Sequence, residues 1–173
     1  NLKISVLMAS YKHVLWLSEA ITSVLNQTFA DFEFIIVDDG SNDGSSDIIK
    51  DYAKKDKRIK YEILAKNKGA VFALKRCYDL SSNDYIAIMN SDDVWELDKL
   101  EKQVGVFNKN KDVDIVFGLP SFIDEKSNKL DSSLREFSDS TQFKTKEQFM
   151  NYFFLKGNFI CHPTILIKRK CYE

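Results

Sequence analysis

The stretches Phe32-Glu33-Phe34-Ile35-Ile36-Val37-Asp38-Asp39-Gly40-Ser41 and Tyr85-Ile86-Ala87-Ile88-Met89-Asn90-Ser91-Asp92-Asp93 share one design: a short apolar run that closes on two adjacent carboxylates. Runs of this length, bounded by turn residues, read as buried strands. In a parallel sheet both would end on the same edge, where ligands of open α/β sheets bind. Four carboxylates gathered there repel one another unless something cationic joins them. A divalent metal carrying a diphosphate would balance the charge, because carboxylate and phosphate oxygens are both hard ligands.

Working outward, residues 4–8 form an earlier apolar run, and Leu17, Ile21, Val24 and Leu25 then recur at helical spacing, with Ser18 and Glu19 suited to the first turn. After residues 32–37, the turn chemistry of Gly40 to Ser45 leads into a helix carrying Ile48, Ile49, Tyr52 and Ala53. A third strand is expected over 59–64, then a turn at Lys66-Asn67-Lys68-Gly69 and a helix with the stripe Ala70, Ala73, Leu74, Cys77 and Leu80. The strand over 85–89 is followed by a helix bearing Leu97, Leu100, Val104 and Phe107, with Asp98 and Glu101 spaced as a capping box. Strand and helix thus alternate four times, which predicts right-handed crossovers and a mainly parallel sheet covered on both faces. Beyond it we expect a fifth strand over 114–117, a hairpin over 121–131, a mobile loop over 132–146, a short helix over 147–155 and a last strand over 163–168.

The 173 residues, 44% hydrophobic, suffice for one substantial core. No apolar stretch is long enough to span a bilayer, and the start has no signal-peptide pattern. A formal charge of -1 with scattered basic residues argues against nucleic acid or a membrane surface as main partner. Cys77, Cys161 and Cys171 lack CxxC or zinc-like spacing, which favours reduced thiols in a cytoplasmic setting. The chain opens on Asn1 rather than Met and stops soon after the apolar run 164–167, the pattern expected of a piece of something longer.

Each acidic pair has two readings. A carboxylate at the end of 32–37 can accept from a base N–H or a ribose hydroxyl, while the following glycine lets backbone approach a ligand; or Asp and Ser simply cap the next helix. Asp92 and Asp93 can bind Mg²⁺ or Mn²⁺, or cap in the same way. Trp95 can offer a platform to a sugar or anchor a helix start. His162 can orient an acceptor hydroxyl or phosphate, or be structural.

In this order, Ile4-Ser5-Val6-Leu7-Met8 with Ser10-Tyr11, Ser23-Val24-Leu25-Asn26-Gln27-Thr28 followed by Phe32-Glu33, Asp38-Asp39-Gly40-Ser41 and Asp92-Asp93 resemble the inverting family-two glycosyltransferases of GT-A fold, a three-layer Rossmann-like αβα domain. Cys161-His162-Pro163 resembles that family's acceptor-side segment. The resemblance implies one domain over 1–173, with 1–118 binding the nucleotide sugar and 119–173 beginning the acceptor part. It implies that Asp38 and Asp39 both belong to the nucleotide site, Asp39 holding a base, most often uracil, with Tyr11 stacked on it and Ala9 giving backbone contact. Asn67 and Gly69 would help line the pocket, Asp92 would meet ribose or metal, and Asp93 would be the main ligand of Mn²⁺ or Mg²⁺. Trp95 and His162 would face the acceptor, a glycan or lipid-linked glycan of bacterial surface polysaccharide synthesis. The full-length protein would be cytoplasmic, with peripheral attachment to the inner membrane face left open.

The chain departs from the family pattern at Asn90, where a third Asp is common, and at Leu74-Lys75, where an Arg-Asn pair is common and Lys68 or Lys75 would have to substitute. The family's general base falls beyond Glu173, so no residue here is named as base. A noncatalytic nucleotide- or glycan-binding module of the same fold is the alternative. A signalling receiver domain is the poorer rival, because its acidic pair follows the first strand and a Lys follows the fifth, where this chain has Gly118-Leu119-Pro120.

Overall fold

The computed structural model describes residues 2–130, 145–157 and 160–172. The four expected β/α units are all present: β1 Ile4–Ser10, α1 Leu17–Leu25, β2 Phe32–Asp38, α2 Ser45–Lys55, β3 Ile59–Ile63, α3 Ala70–Leu80, β4 Tyr85–Asn90 and α4 Lys99–Lys109. Then come β5 Ile115–Val116, α5 Lys146–Lys156 and β6 Leu166–Lys168, with a 3₁₀ turn His162–Thr164 before β6. The sheet order is β3-β2-β1-β4-β6-β5. The first four strands run parallel, whereas β6 is antiparallel to both β4 and β5.

Alternation along each strand explains why the runs are apolar throughout. Ile4, Val6 and Met8 of β1 join Phe34 and Ile36 of β2 in a core beneath α1, α2 and α4, while Leu7, Ile35, Val37, Ile86 and Ile88 face α3 through Ala73 and Cys77. A sheet buried on both faces has no polar side to write into the sequence. The Cys77 thiol donates to the Met8 carbonyl at 3.3 Å, and burial pushes it up to about 12, so it is an inert packed group.

Three of the resemblance-bearing residues are ties between elements. The buried Gln27 carboxamide donates to the Ser23 and Glu96 carbonyls and accepts from Leu100 N–H at 3.0 Å. It thereby satisfies an orphan amide in the first turn of α4. The expected capping box does not form: Asp98 makes no side-chain cap, pairing with Lys102 at 2.8 Å, and Glu101 accepts from Thr28. Ser23 Oγ accepts from Trp95 N–H, and Gln103 Nε2 donates to the Thr164 carbonyl at 2.7 Å, fixing the segment before β6.

The expected fifth strand shortens to two residues, and the hairpin is held by one antiparallel bridge, Ile123 to Lys129, with Asp124 accepting from the turn amides of Lys126 and Asn128. Most of the loop expected over 132–146 lies outside the described residues; Thr145 caps α5 by accepting from Gln148 N–H, and Lys146 begins it. The last strand starts later than expected because Pro163 sits in the 3₁₀ turn. No helix among the described residues is long and apolar enough to cross a membrane.

Candidate functional site

In the sheet, β1 stands between β2 and β4, with Ser10 in register with Asp38 and Ala9 with Asn90. The two acidic pairs therefore flank the end of β1 rather than touching. Between them opens a cleft of about 470 Å³ whose lining includes Ala9, Tyr11, Asp39, Asn67, Asp92 and His162. A larger concavity of about 650 Å³ lies around Leu2, Asn83 and Tyr85, at the amino ends of β1 and β4, away from the edge where open α/β sheets bind ligands.

The first pair divides its work. Asp38 is fully buried; its Oδ2 accepts from Ser41 N–H and Ser46 Oγ, both at 3.0 Å, and it does not reach the cleft. The expectation that Asp38 meets nucleotide does not match this placement: Asp38 is not among the residues lining the cleft, Oδ2 holds the turn into α2, and Oδ1 is buried without a partner among the described residues. Asp39, 2% exposed, accepts from Lys68 N–H at 2.7 Å through Oδ1 and Gly69 N–H at 2.8 Å through Oδ2. Each oxygen keeps a second acceptor site for a ligand donor. Gly69 itself does not line the cleft; its part is that amide, presented at φ +95°.

Gly40 makes this latch possible. At φ +74° a Cβ would stand 2.6 Å from the Lys66 carbonyl carbon and 2.8 Å from Asn67 N. Only a residue without a side chain lets the 66–69 loop settle on the β2 turn.

At the second pair Asp92 is half-exposed on the cleft, 3.9 Å from His13 Nδ1. Asp93 lies farther back, accepting from Asn90 Nδ2 at 2.9 Å. Burial pushes its carboxyl above the ordinary value; the Asn90 bond works against this, Asp92 adds to it and His13 opposes it. The departure at Asn90 thus has a structural use, since an Asp there could not donate to Asp93 while ionised. Among the described residues no three His, Cys, Asp or Glu side chains converge to hold a metal unaided.

The remaining expectations fall out differently. Tyr11 is 38% exposed on the cleft, with Lys12 Nζ 5.3 Å from its ring centre. Trp95 is 6% exposed, its Nε1 donates to the Pro163 carbonyl and Lys99 Nζ sits 3.7 Å from its ring centre. Of its two readings the packing fits the anchor, because no face is left for a sugar. His162 lines the cleft and burial pulls its imidazole below the ordinary 6.5, favouring the neutral ring. Cys161 beside it is pushed up, first by burial and then by Asp93. Lys75 is committed to Asp79 at 2.9 Å, and Lys68 places its ammonium 4.5 Å from the Phe72 ring. His13, which sequence reasoning passed over, lines the cleft and reaches Ser91. Its position just past β1, two residues after Tyr11, was the available sign.

Comparison with known proteins bears on the family and the fold. The family model described as "Glycosyl transferase family 2" matches residues 5–173. An uncharacterized glycosyltransferase of Methanocaldococcus jannaschii is 37% identical over 96% of this chain and 56% of its own length. The Escherichia coli protein WfgD, named as a UDP-Glc:alpha-D-GlcNAc-diphosphoundecaprenol beta-1,3-glucosyltransferase, is 33% identical over 72% of this chain and 48% of its own. The chain thus spans about half the length of these relatives. Among solved structures, TarS of S. aureus in complex with UDP-GlcNAc superimposes with a TM-score of 0.63 at 22% identity, over 69% of this chain and 37% of TarS. The mannosyltransferase PcManGT of Pyrobaculum calidifontis, in complex with GDP-Man and Mn²⁺, gives 0.62 at 18%, over 68% and 35%. With its parallel β/α frame, its acidic cleft and a family match running nearly end to end, the chain belongs to glycosyl transferase family 2 and has the GT-A fold.

Proposed function

We propose that the cleft takes the nucleotide diphosphate of a UDP-sugar and that the whole protein passes the sugar, with inversion, to a hydroxyl of a glycan or lipid-linked glycan in surface polysaccharide synthesis. The observation that carries this reading is Asp39, held by two backbone amides at one wall of the cleft while Asp92 stands at the other. A carboxylate so fixed can accept the imide N–H of uracil, and Tyr11 can stack on the ring. Names of relatives support the donor class: WfgD acts on UDP-Glc and TarS was solved with UDP-GlcNAc.

The donor set fits a divalent cation of the Mg²⁺ or Mn²⁺ type. Asp93, with Asp92 beside it, would supply hard oxygen ligands, and because no third protein ligand converges there among the described residues, phosphate and water oxygens would complete the shell. Such an ion would offset charge growing on the leaving diphosphate. Asn90 orients Asp93 for that task, and the raised Asp93 carboxyl marks a buried anion that gains from a cation. His162, whose imidazole burial biases toward the neutral form, would serve the acceptor side by hydrogen-bonding a hydroxyl. No residue of this chain is assigned as base.

A thermal-shift series with UDP, GDP and ADP, each with Mn²⁺ and with chelator, tests the reading. Ligand at ~100 times its Kd stabilises by ~2.7 kcal/mol, enough for a clear rise in Tm. UDP with Mn²⁺ is expected to give the largest shift; no shift with any nucleotide overturns the proposal.

A further inference from the structure

The proposed function gives His13 no role, yet it links two edges of the cleft. Its backbone is fixed by the turn into α1, the carbonyl accepting from Trp16 N–H at 3.0 Å and Leu17 N–H at 2.9 Å. The Trp16 ring meets the imidazole edge-on at 5.8 Å, which limits its rotation. Nδ1 lies 2.8 Å from Ser91 Oγ, and Ser91 Oγ donates to the Ala9 carbonyl at 3.3 Å. A hydroxyl has one proton, and a carbonyl can only accept. Either tautomer can make the 2.8 Å contact; with the Ser91 proton given to Ala9, it is Nδ1–H that donates to Ser91. The chain of contacts runs from β1 through Ser91 to His13, with Asp92 the next residue along.

We propose that His13 is a positioning residue: its Nδ1–H holds Ser91 against the end of β1, and so aims the adjacent Asp92 into the cleft. This rests on the nucleotide reading above, and it makes the β1–α1 loop and the acidic turn one unit. Loss of the Nδ1 donor leaves Ser91 Oγ with its 3.3 Å bond to Ala9 alone and Asp92 less firmly directed.

Two measurements test it. In the ligand-free chain, two-bond ¹⁵N–¹H spectra of the histidine rings should show neutral His13 protonated on Nδ1, and Ser91→Ala should abolish that preference. A ring protonated on Nε2 overturns the proposal without reference to any ligand. Calorimetry with UDP and Mn²⁺ then compares variants. Asn places its amide nitrogen near the Nδ1 position, whereas Gln reaches toward Nε2. His13→Ala should bind about tenfold more weakly, His13→Asn should come back to within about threefold of the unaltered chain, and His13→Gln should stay with the Ala variant. If His13→Asn is as weak as His13→Gln, or His13→Ala binds like the unaltered chain, the positioning role is refuted. If the unaltered chain binds no UDP at all, the functional reading falls while the tautomer result still decides the His13–Ser91 contact. Should His13→Ala fail to fold, the Asn and Gln pair carries the comparison.

Discussion

Glu33 lies at the end of the sheet away from the cleft, and replacing it with Gln probes what holds the frame. Its Oε1 accepts from Ser5 Oγ at 2.6 Å, from Ser82 N–H at 2.6 Å and from Ser82 Oγ at 3.1 Å, while Oε2 takes Lys60 Nζ at 2.7 Å. The bonds join β1, β2, β3 and the connection from α3 to β4. Burial by itself would raise this carboxyl, whose side chain is 11% exposed, but the bonds from Lys60, Ser5 and Ser82 outweigh it and bring it from 4.5 to about 2. At ~1.4 kcal/mol per pH unit the difference is worth roughly 3 kcal/mol, an upper value because Lys60 is half-exposed and screened. The sign follows from proton uptake. Below pH 4.5 the unfolded chain gains a proton that the folded chain refuses until about 2, so the stabilisation is complete above 4.5 and drains away toward 2. Glu33→Gln should cost about 2–3 kcal/mol in urea unfolding at pH 7, and the gap should narrow by ~1.4 kcal/mol per unit below pH 4.5. A gap that is the same at pH 7 and at pH 3.5, or no gap at pH 7, would refute the reasoning.

Gly40→Ala must push backbone atoms of Lys66 and Asn67 away from 2.6–2.8 Å contacts at a positive φ, so a loss of about 2–4 kcal/mol in urea unfolding is expected, and a loss under ~0.5 kcal/mol contradicts the close approach. Lys99 is pushed by burial down to about 7, and among the described residues no carboxylate pairs with it. Its charge therefore opposes folding fully below pH 7, less between 7 and the ordinary 10.5, and not at all above. Lys99→Met should raise Tm most at pH 6, with the gain shrinking by pH 9; a gain independent of pH sinks the idea. Asp93→Ala should remove the Mn²⁺-dependent part of UDP affinity and leave the fold intact, whereas Asp92→Ala should weaken binding with or without metal by about 0.5–1.5 kcal/mol or somewhat more, as calorimetry with Mn²⁺ and with chelator will show.

What the sequence disclosed, and what it hid, divides by range. The apolar runs and helical stripes of the first 110 residues are local patterns, and they mark each β/α unit to within two residues. The order of strands is not local. Nothing in residues 114–117 or 163–168 states that β6 will insert antiparallel between β4 and β5; that depends on Gln103 and Trp95 reaching the carbonyls of Thr164 and Pro163. The Asp98–Glu101 spacing looked like a cap, yet Asp98 pairs with Lys102, Glu101 accepts from Thr28, and the Leu100 amide goes to Gln27, 73 residues away. At the site, residue types were legible and orientations were not. Asp38 and Asp39 are chemically identical neighbours, and only the pleat, which turns one into the α2 turn and the other toward the 66–69 loop, separates their work.

The central claim is that the cleft between Asp39 and Asp92 receives a uridine diphosphate. Calorimetric titration of the chain with UDP, and in parallel with GDP and ADP, in the presence of Mn²⁺ tests it most directly. The account predicts one-to-one binding of UDP, tighter than either purine nucleotide by about tenfold, or ~1.4 kcal/mol. Equal or tighter binding of a purine diphosphate, or no binding of UDP, would contradict it.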